Sequence, residues 1–250
     1  MLKEAIKFLV DLSIQPDERF VDIQDSEGEN RSFVIDSEGA AREIKPLVTR
    51  ASESLRINTL TGLVDYVKAN LERQSSNFYL QILDEKTVLL KGVLDIDGGR
   101  ETLVTAEAIV PKFNYGYFHN AEELIIAFQS KFTTTKDREL LLKVIGNVKE
   151  ENVRQTGDNG FSQAVTIKTG VASADDVLVP NPVTLAPYRT FLEVDQPMSD
   201  FVFRMKDGPS AAIFEADGGA WRNQAISNVR EYLKVELVEE IESGKITIIA

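Results

Sequence analysis

The sequence predicts an α+β fold with a largely antiparallel sheet and about five helices. Three observations carry this reading. Helix-like and strand-like runs are grouped rather than strictly alternating, which argues against a parallel βαβ sheet. Short polar turns such as Asp84-Glu85-Lys86 and Asp97-Gly98-Gly99 join consecutive strand-like runs, as hairpins require. The 250 residues are 43% hydrophobic and 27% charged, an ordinary globular balance. A chain of that length buries roughly three-quarters of the surface its unfolded form exposes.

The elements follow in order. Residues 2–13 read as a helix, because Leu2, Ala5, Ile6 and Leu9 recur at helical spacing and Pro16 closes the run. A hairpin comes next, Phe20–Ile23 against Ser32–Ile35 around a polar turn. Residues 37–52, with Ile44, Pro46 and Leu47, read as an extended link. The clearest helix starts at Thr59 or Thr61, either of which can cap it, and carries the stripe Leu60, Leu63, Val64, Val67 and Leu71. Three strands, roughly 77–83, 87–94 and 101–110, form a meander. Asn120 and Glu123 have capping-box spacing and open a helix with Leu124, Ile125 and Phe128 inward. Thr133-Thr134-Thr135 offers a cap for another, in which Leu141, Val144 and Ile145 face the core.

Beyond about residue 147 strand-like runs dominate: Val165–Lys168, Val177–Val179, Val183–Leu185 and Phe191–Val194, interrupted by Pro180, Pro182, Pro187 and Pro197. Phe201–Met205 and Ala211–Glu215 are two better strands, and Ile226, Val229, Leu233 and Leu237 mark the buried face of the last helix. Lys245–Ala250 reads as a strand of high β-propensity, which needs a partner in its own sheet or on a second copy. The chain reads as a single folding unit, 1–250. A soft internal boundary near 150 separates an α+β half, 1–150, from a strand-rich half, 151–250, with a long C-terminal helix.

Composition excludes several chemistries. There is no cysteine, so a disulfide scaffold, a thiolate zinc site, an iron–sulfur cluster and a cysteine nucleophile are all ruled out. His119 is the single histidine and reads as a residue at a loop-to-helix entry. The net charge of −12 disfavours nucleic acid as a general partner, leaving room only for a local basic groove. No run approaches the roughly 20 apolar residues of a membrane span, so the expected setting is cytoplasmic, with no membrane partner. Walker A, Gly-x-Gly-x-x-Gly, His-Glu-x-x-His and Gly-x-Ser-x-Gly patterns are absent, and no cofactor is expected.

Three weaker constellations remain. In Asp95-Ile96-Asp97-Gly98-Gly99-Arg100-Glu101, Asp95 and Asp97 can share a divalent cation, but the spacing is also that of a charged hairpin turn, and the turn reading prevails. In Glu215-Ala216-Asp217-Gly218-Gly219-Ala220-Trp221, Glu215 and Asp217 stand at the end of a strand and the start of a helix. They are candidate metal ligands, against the simpler role of Asp217 as a helix cap and Trp221 as a staple to the core. In the third, Tyr188, Arg189 and Arg204, lying among aromatics, are with Trp221 candidates for ligand or nucleic-acid contact. Here too core packing, with the arginines paired to nearby Glu193 or Asp195, is the stronger reading.

Asn58–Tyr66, Pro180–Val183 with Pro187–Phe191, and Ile213–Trp221 together resemble a protein family carried by phages and prophages of Gram-positive bacteria. That family is distantly similar to the YfdQ-like prophage proteins. The resemblance covers most of the chain and is strongest in the C-terminal third, while the YfdQ-like match is weaker and mainly N-terminal. It brings no catalytic residues with it. It implies a phage or prophage setting in the host cytoplasm. The expected function is a non-enzymatic accessory protein that binds a host or defence protein, a small nucleotide or single-stranded DNA, and that assembles into a homo-oligomer. Two alternatives are a metal-assisted phosphoryl-transfer enzyme using the four carboxylates and a single-strand DNA-handling factor using Arg189 and Arg204.

Overall fold

The computed structural model describes residues 19–24, 30–36, 38–44, 51–70, 77–95, 98–147, 157–158, 163–169, 173–206 and 210–250. The fold is α+β with mostly antiparallel sheets. The chain divides into two compact units, Met1–Arg50 and Ala51–Ala250. The expected helix over 2–13 and the expected boundary region at 148–156 lie outside the described residues.

In the first unit β1 (Arg19–Gln24), β2 (Asn30–Ile35) and β3 (Ala41–Ile44) form an antiparallel meander. The hairpin has the expected partners, with Phe20 opposite Val34. The third strand lies inside the stretch read as an extended link. Asp36 makes that possible: its Oδ1 accepts from the backbone N–H groups of Glu38 and Ala40 at 3.0 and 2.9 Å, which closes the turn into β3.

The second unit begins with β4 (Leu55–Ile57), α1 (Leu60–Ala69), β5 (Phe78–Ile82), β6 (Thr87–Gly92) and β7 (Thr102–Glu107). After these come β8 (His119–Asn120), α2 (Ala121–Lys131), α3 (Lys136–Asn147), β9 (Gly157–Asp158), β10 (Gln163–Thr169), β11 (Ser173–Val179) and β12 (Val183–Leu185). It ends with β13 (Ser199–Lys206), β14 (Ser210–Glu215), α4 (Trp221–Glu236), α5 (Val238–Glu242) and β15 (Ile246–Ile249).

A five-stranded sheet in the order β15-β5-β6-β7-β4 holds the first core. The meander β5-β6-β7 is antiparallel, while both edge strands run parallel to their neighbours. The strand-like C-terminal run is therefore paired within the chain's own sheet, Ile246 opposite Phe78 and Ile249 opposite Gln81. Strand alternation puts Phe78, Leu80, Ile82, Val88, Leu90, Val104 and Ala106 on one face. These pack with Leu60, Leu63, Val64 and Val67 of α1 and with Val229 and Leu233 of α4. The opposite face carries Tyr79, Gln81, Leu89 and Lys91, all half-buried.

A four-stranded antiparallel sheet, β12-β13-β14-β8, holds the second core. Val183, Leu185, Phe201, Phe203, Ala211 and Ile213 pack with Leu124 and Phe128 of α2 and Leu141, Val144 and Ile145 of α3. The Asn120–Glu123 capping box is complete, and Thr135 Oγ1 accepts from Arg138 N–H at 3.1 Å to open α3. A third antiparallel sheet has the order β11-β10-β9. No helix among the described residues is long and apolar enough to cross a membrane.

Three expectations are corrected. Phe191–Val194 is a loop rather than a strand. The Gln196 amide takes the place of a neighbouring strand: its Oε1 accepts from Arg189 N and Thr190 N, and its Nε2 donates to Phe191 O and Val194 O. His119 stands at the entry to α2 as expected, next to the N-cap Asn120, but in a short strand against Ala211 rather than in a loop. The last helix breaks at Leu237 into α4 and α5.

Candidate functional site

The loop from Pro187 to Met198 drives Arg189 into the interior, where it is 7% exposed. Its guanidinium lies at the end of the second core, on the same face of the sheet as Ser199, Phe201 and Glu215. Nη1 reaches Glu215 Oε1 at 3.0 Å, and Nη2 donates to Ser199 Oγ. The guanidinium carbon sits 3.8 Å from the centroid of the Trp221 ring and 5.7 Å from that of Phe201. Arg222 approaches the same indole at 4.8 Å. Burial pushes the Arg189 guanidinium below its ordinary pKa, and the neighbouring Tyr115, Glu215 and Asp217 oppose that shift. Tyr115 stacks on Phe201 with centroids 5.6 Å apart, and burial pushes its phenol up to about 12. Arg189 Nε and Trp221 Nε1 are buried with no hydrogen-bond partner among the described residues.

Four of the residues singled out from sequence thus meet in one place: Arg189, Glu215, Asp217 and Trp221. Their arrangement is that of a closed cluster. Glu215, not the expected Glu193 or Asp195, is the counter-ion of Arg189; Glu193 Oε1 instead accepts from Leu60 N at 2.7 Å and Thr61 N at 3.2 Å at the start of α1. Asp217 closes the turn that leads into α4, accepting from Gly219 N at 3.0 Å and from Trp221 N at 3.4 Å, while the N-cap of α4 is Ala220, with no side-chain cap bond. Gly219 has φ +84°, a backbone conformation that favours glycine, while a β-carbon there would only displace the movable Arg222 guanidinium. Tyr188 uses its backbone N–H to bond Lys131 O at the end of α2. Arg204 lies on the other face of β13, opposite Ala212. Asp95 closes the hairpin turn: its Oδ1 accepts from Gly99 N at 2.8 Å, and Gly98 has φ +73°. Asp97 lies outside the described residues. No group of three or more His, Asp or Glu side chains converges as a metal site among the described residues.

A second arrangement lies on the open face of the five-stranded sheet. Tyr79, Gln81, Lys91, Arg100 and Ile249 line a cleft of about 380 Å³. The register explains who meets whom: Tyr79 is opposite Lys91 and Gln81 is opposite Ile249. Arg100 comes from the connection after the Asp95 turn. Its guanidinium carbon lies 5.0 Å from the Tyr79 centroid, and Nη1 donates to Gly92 O at 3.4 Å. Among the described residues neither Lys91 nor Arg100 has a carboxylate partner and no carboxylate lines the cleft. These residues carry no motif. What marks them in sequence is parity: Tyr79 and Gln81 alternate with Phe78, Leu80 and Ile82, and Lys91 alternates with Leu90. Only the pairing register, which sequence does not supply, brings them to one cleft.

A second hollow, about 330 Å³, is lined by residues that include Phe113, His119, Glu123 and Lys131. His119 Nε2 bonds Asn114 O at 3.1 Å and its ring tilts on Phe113, while Lys131 Nζ donates to Lys112 O. These contacts tie a loop to α2. The chain matches no protein-family model, no curated protein and no solved structure.

Proposed function

We infer that this chain is a non-enzymatic binding protein that takes an anionic ligand on the open face of its five-stranded sheet. The observation that carries the reading is the cleft lined by Lys91 and Arg100. In a chain of net charge −12, acids are plentiful, and Arg189, Arg138 and Lys234 each have one at 3.0 Å or closer. Lys91 and Arg100 have none among the described residues and share one concavity with an aromatic ring. A site that gathers like charge without compensation attracts the opposite charge. The phage or prophage setting and the host cytoplasm rest on the resemblance alone and belong to the proposal. So does self-association. Ile109, Leu192 and Val235 are each more than 70% exposed, and burial of such surface is what drives copies together.

The test is native mass spectrometry of protein purified from a bacterial cytoplasm, wild type beside the Lys91→Glu/Arg100→Glu double variant. The wild type is expected to carry a small anion, in a discrete oligomer, and the double variant to lose the anion while keeping its fold. Equal ligand occupancy in the two proteins would place the binding elsewhere and sink the reading.

A further inference from the structure

The geometry points to a mononucleotide as the ligand of the Tyr79 cleft, with its phosphate held by Lys91 and Arg100 and its base against Gln81 and Ile249; this rests on the binding reading above.

The cleft has two ends of different chemistry. At one, Arg100 is held before any ligand arrives. Its chain neighbour Gly99 bonds Asp95, the Tyr79 ring lies beneath its guanidinium, and Gly92 O accepts from Nη1. A planar fork held in place loses little freedom when it grips a phosphate through two parallel N–H···O bonds. Lys91, opposite Tyr79 on the neighbouring strand, adds a point charge to the same end. Two cations lining one cleft repel each other, and a phosphate between them relieves that repulsion.

The other end is neutral. Gln81 and Ile249 are cross-strand neighbours one pleat repeat along, about 7 Å from the Tyr79–Lys91 row by strand geometry. Gln81 offers a donor and an acceptor on one planar amide, the pattern that reads the edge of a base. Ile249 is 46% exposed and supplies an apolar surface for the base to lie on. A ligand that matches both ends has a phosphate and, a few ångströms away, a flat ring with hydrogen-bonding edges. At about 380 Å³ the cleft is near the lower end of the roughly 300–1,000 Å³ of small-molecule sites. That suits one nucleotide rather than a strand.

The experiment is isothermal titration calorimetry on the full chain. The probes are the four common nucleoside monophosphates, adenosine, ribose 5-phosphate and a ten-nucleotide oligodeoxythymidylate. At least one monophosphate is expected to bind one per chain. Removing its phosphate or its base should weaken binding at least about tenfold each, the scale of one charge-assisted hydrogen bond. Lys91→Ala and Arg100→Ala should each weaken it at least about tenfold by the same reasoning. Lys91→Met and Arg100→Gln serve if the alanine variants fail to fold by circular dichroism. Ribose 5-phosphate binding as tightly as every monophosphate would overturn the base half of the assignment. Wild-type affinity in the folded Lys91 and Arg100 variants would overturn the site. A strand binding tenfold tighter per site than any mononucleotide would overturn the choice of ligand. If no nucleotide binds, the inference falls, while the binding reading is still decided by the anion that co-purifies.

Discussion

The chain places an arginine beside an aromatic ring on each of its two larger sheets, and the two pairs have opposite character. Arg189 rests on Trp221, 7% exposed, with Glu215 as counter-ion and Ser199 as a further acceptor. Arg100 rests on Tyr79 on an open face, with one backbone carbonyl and no carboxylate among the described residues. The same residue types serve two ends. A buried guanidinium must find its partners inside the protein, because desolvation of an uncompensated charge is too costly. A guanidinium at the surface keeps its solvation and can hold its hydrogen-bonding capacity for something that arrives later. The difference separates a structural arginine from a candidate binding arginine more sharply than sequence context does.

The largest effect should come from breaking the closed pair. Arg189→Ala removes the fork that links the Pro187–Met198 loop, β13, β14 and the start of α4. The expected loss is about 3 kcal/mol of unfolding free energy, from the broken pair and the void beside Trp221. Glu215 is partly exposed, so the carboxylate left behind is hydrated, which keeps the loss at the low end for buried pairs. Urea unfolding checks it. A loss under about 1 kcal/mol would show that Arg189 is not the structural member of the comparison.

Much of this closed cluster was legible from sequence, and the open cleft was not. Arg189 and Trp221 stood out because aromatics, prolines and arginine crowd a short stretch, and Asp217-Gly218-Gly219 announced a helix start. That Glu215 would pair with Arg189 rather than hold a metal depended on a contact 26 residues apart in the chain. The loop that buries Arg189 was read as a strand because Phe191 and Val194 suit one. The side chain that overrode that propensity, Gln196, is an unremarked polar residue in sequence. The edge strands tell the same story: β-propensity marks β15 as a strand, but its parallel pairing with β5 is a long-range choice. The Tyr79–Lys91–Arg100 grouping needs the register of the β5–β6 hairpin together with the path of the chain that returns Arg100 to it.

A smaller, pH-limited effect sharpens the closed side. Tyr115 sits over Phe201 with its phenol pushed up to about 12 by burial, against an ordinary value of 10.0. The folded protein therefore holds this proton more tightly than the unfolded chain does. The stabilisation is complete below pH 10 and is lost as pH rises from 10 toward 12. The wild type should lose stability across that window more steeply than Tyr115→Phe, which has no proton to lose. Absorbance at the phenolate band should show one tyrosine titrating late in the wild type only. Parallel stability curves for the two proteins above pH 10 would mean that the phenol is not held in the closed cluster.

The smallest effect on stability should belong to the open pair, and that near-absence is its signature. Lys91→Ala removes a charge with no partner among the described residues, so unfolding free energy should move by no more than about 0.5 kcal/mol in either direction. Arg100→Ala gives up an exposed contact with Tyr79, which is about 0.5–1 kcal/mol in such settings. Relief of repulsion from Lys91 offsets part of that. If the cleft instead belonged to the architecture, either substitution would cost as much as Arg189→Ala. Ligand then separates the two sides further. A ligand that binds only the folded state stabilises it by about 2.7 kcal/mol at a hundredfold excess over Kd. Adenosine monophosphate, or whichever monophosphate calorimetry selects, should raise the melting temperature of the wild type and of Tyr115→Phe. It should raise that of Lys91→Ala and Arg100→Ala by about half as much or less at the same concentration, since a tenfold weaker Kd leaves about 1.4 kcal/mol of the stabilisation. Variants that melt like the wild type without ligand and diverge from it only when ligand is added are what an open, uncompensated site requires; equal stabilisation of all four proteins would return Arg100 to the status of an ordinary surface residue.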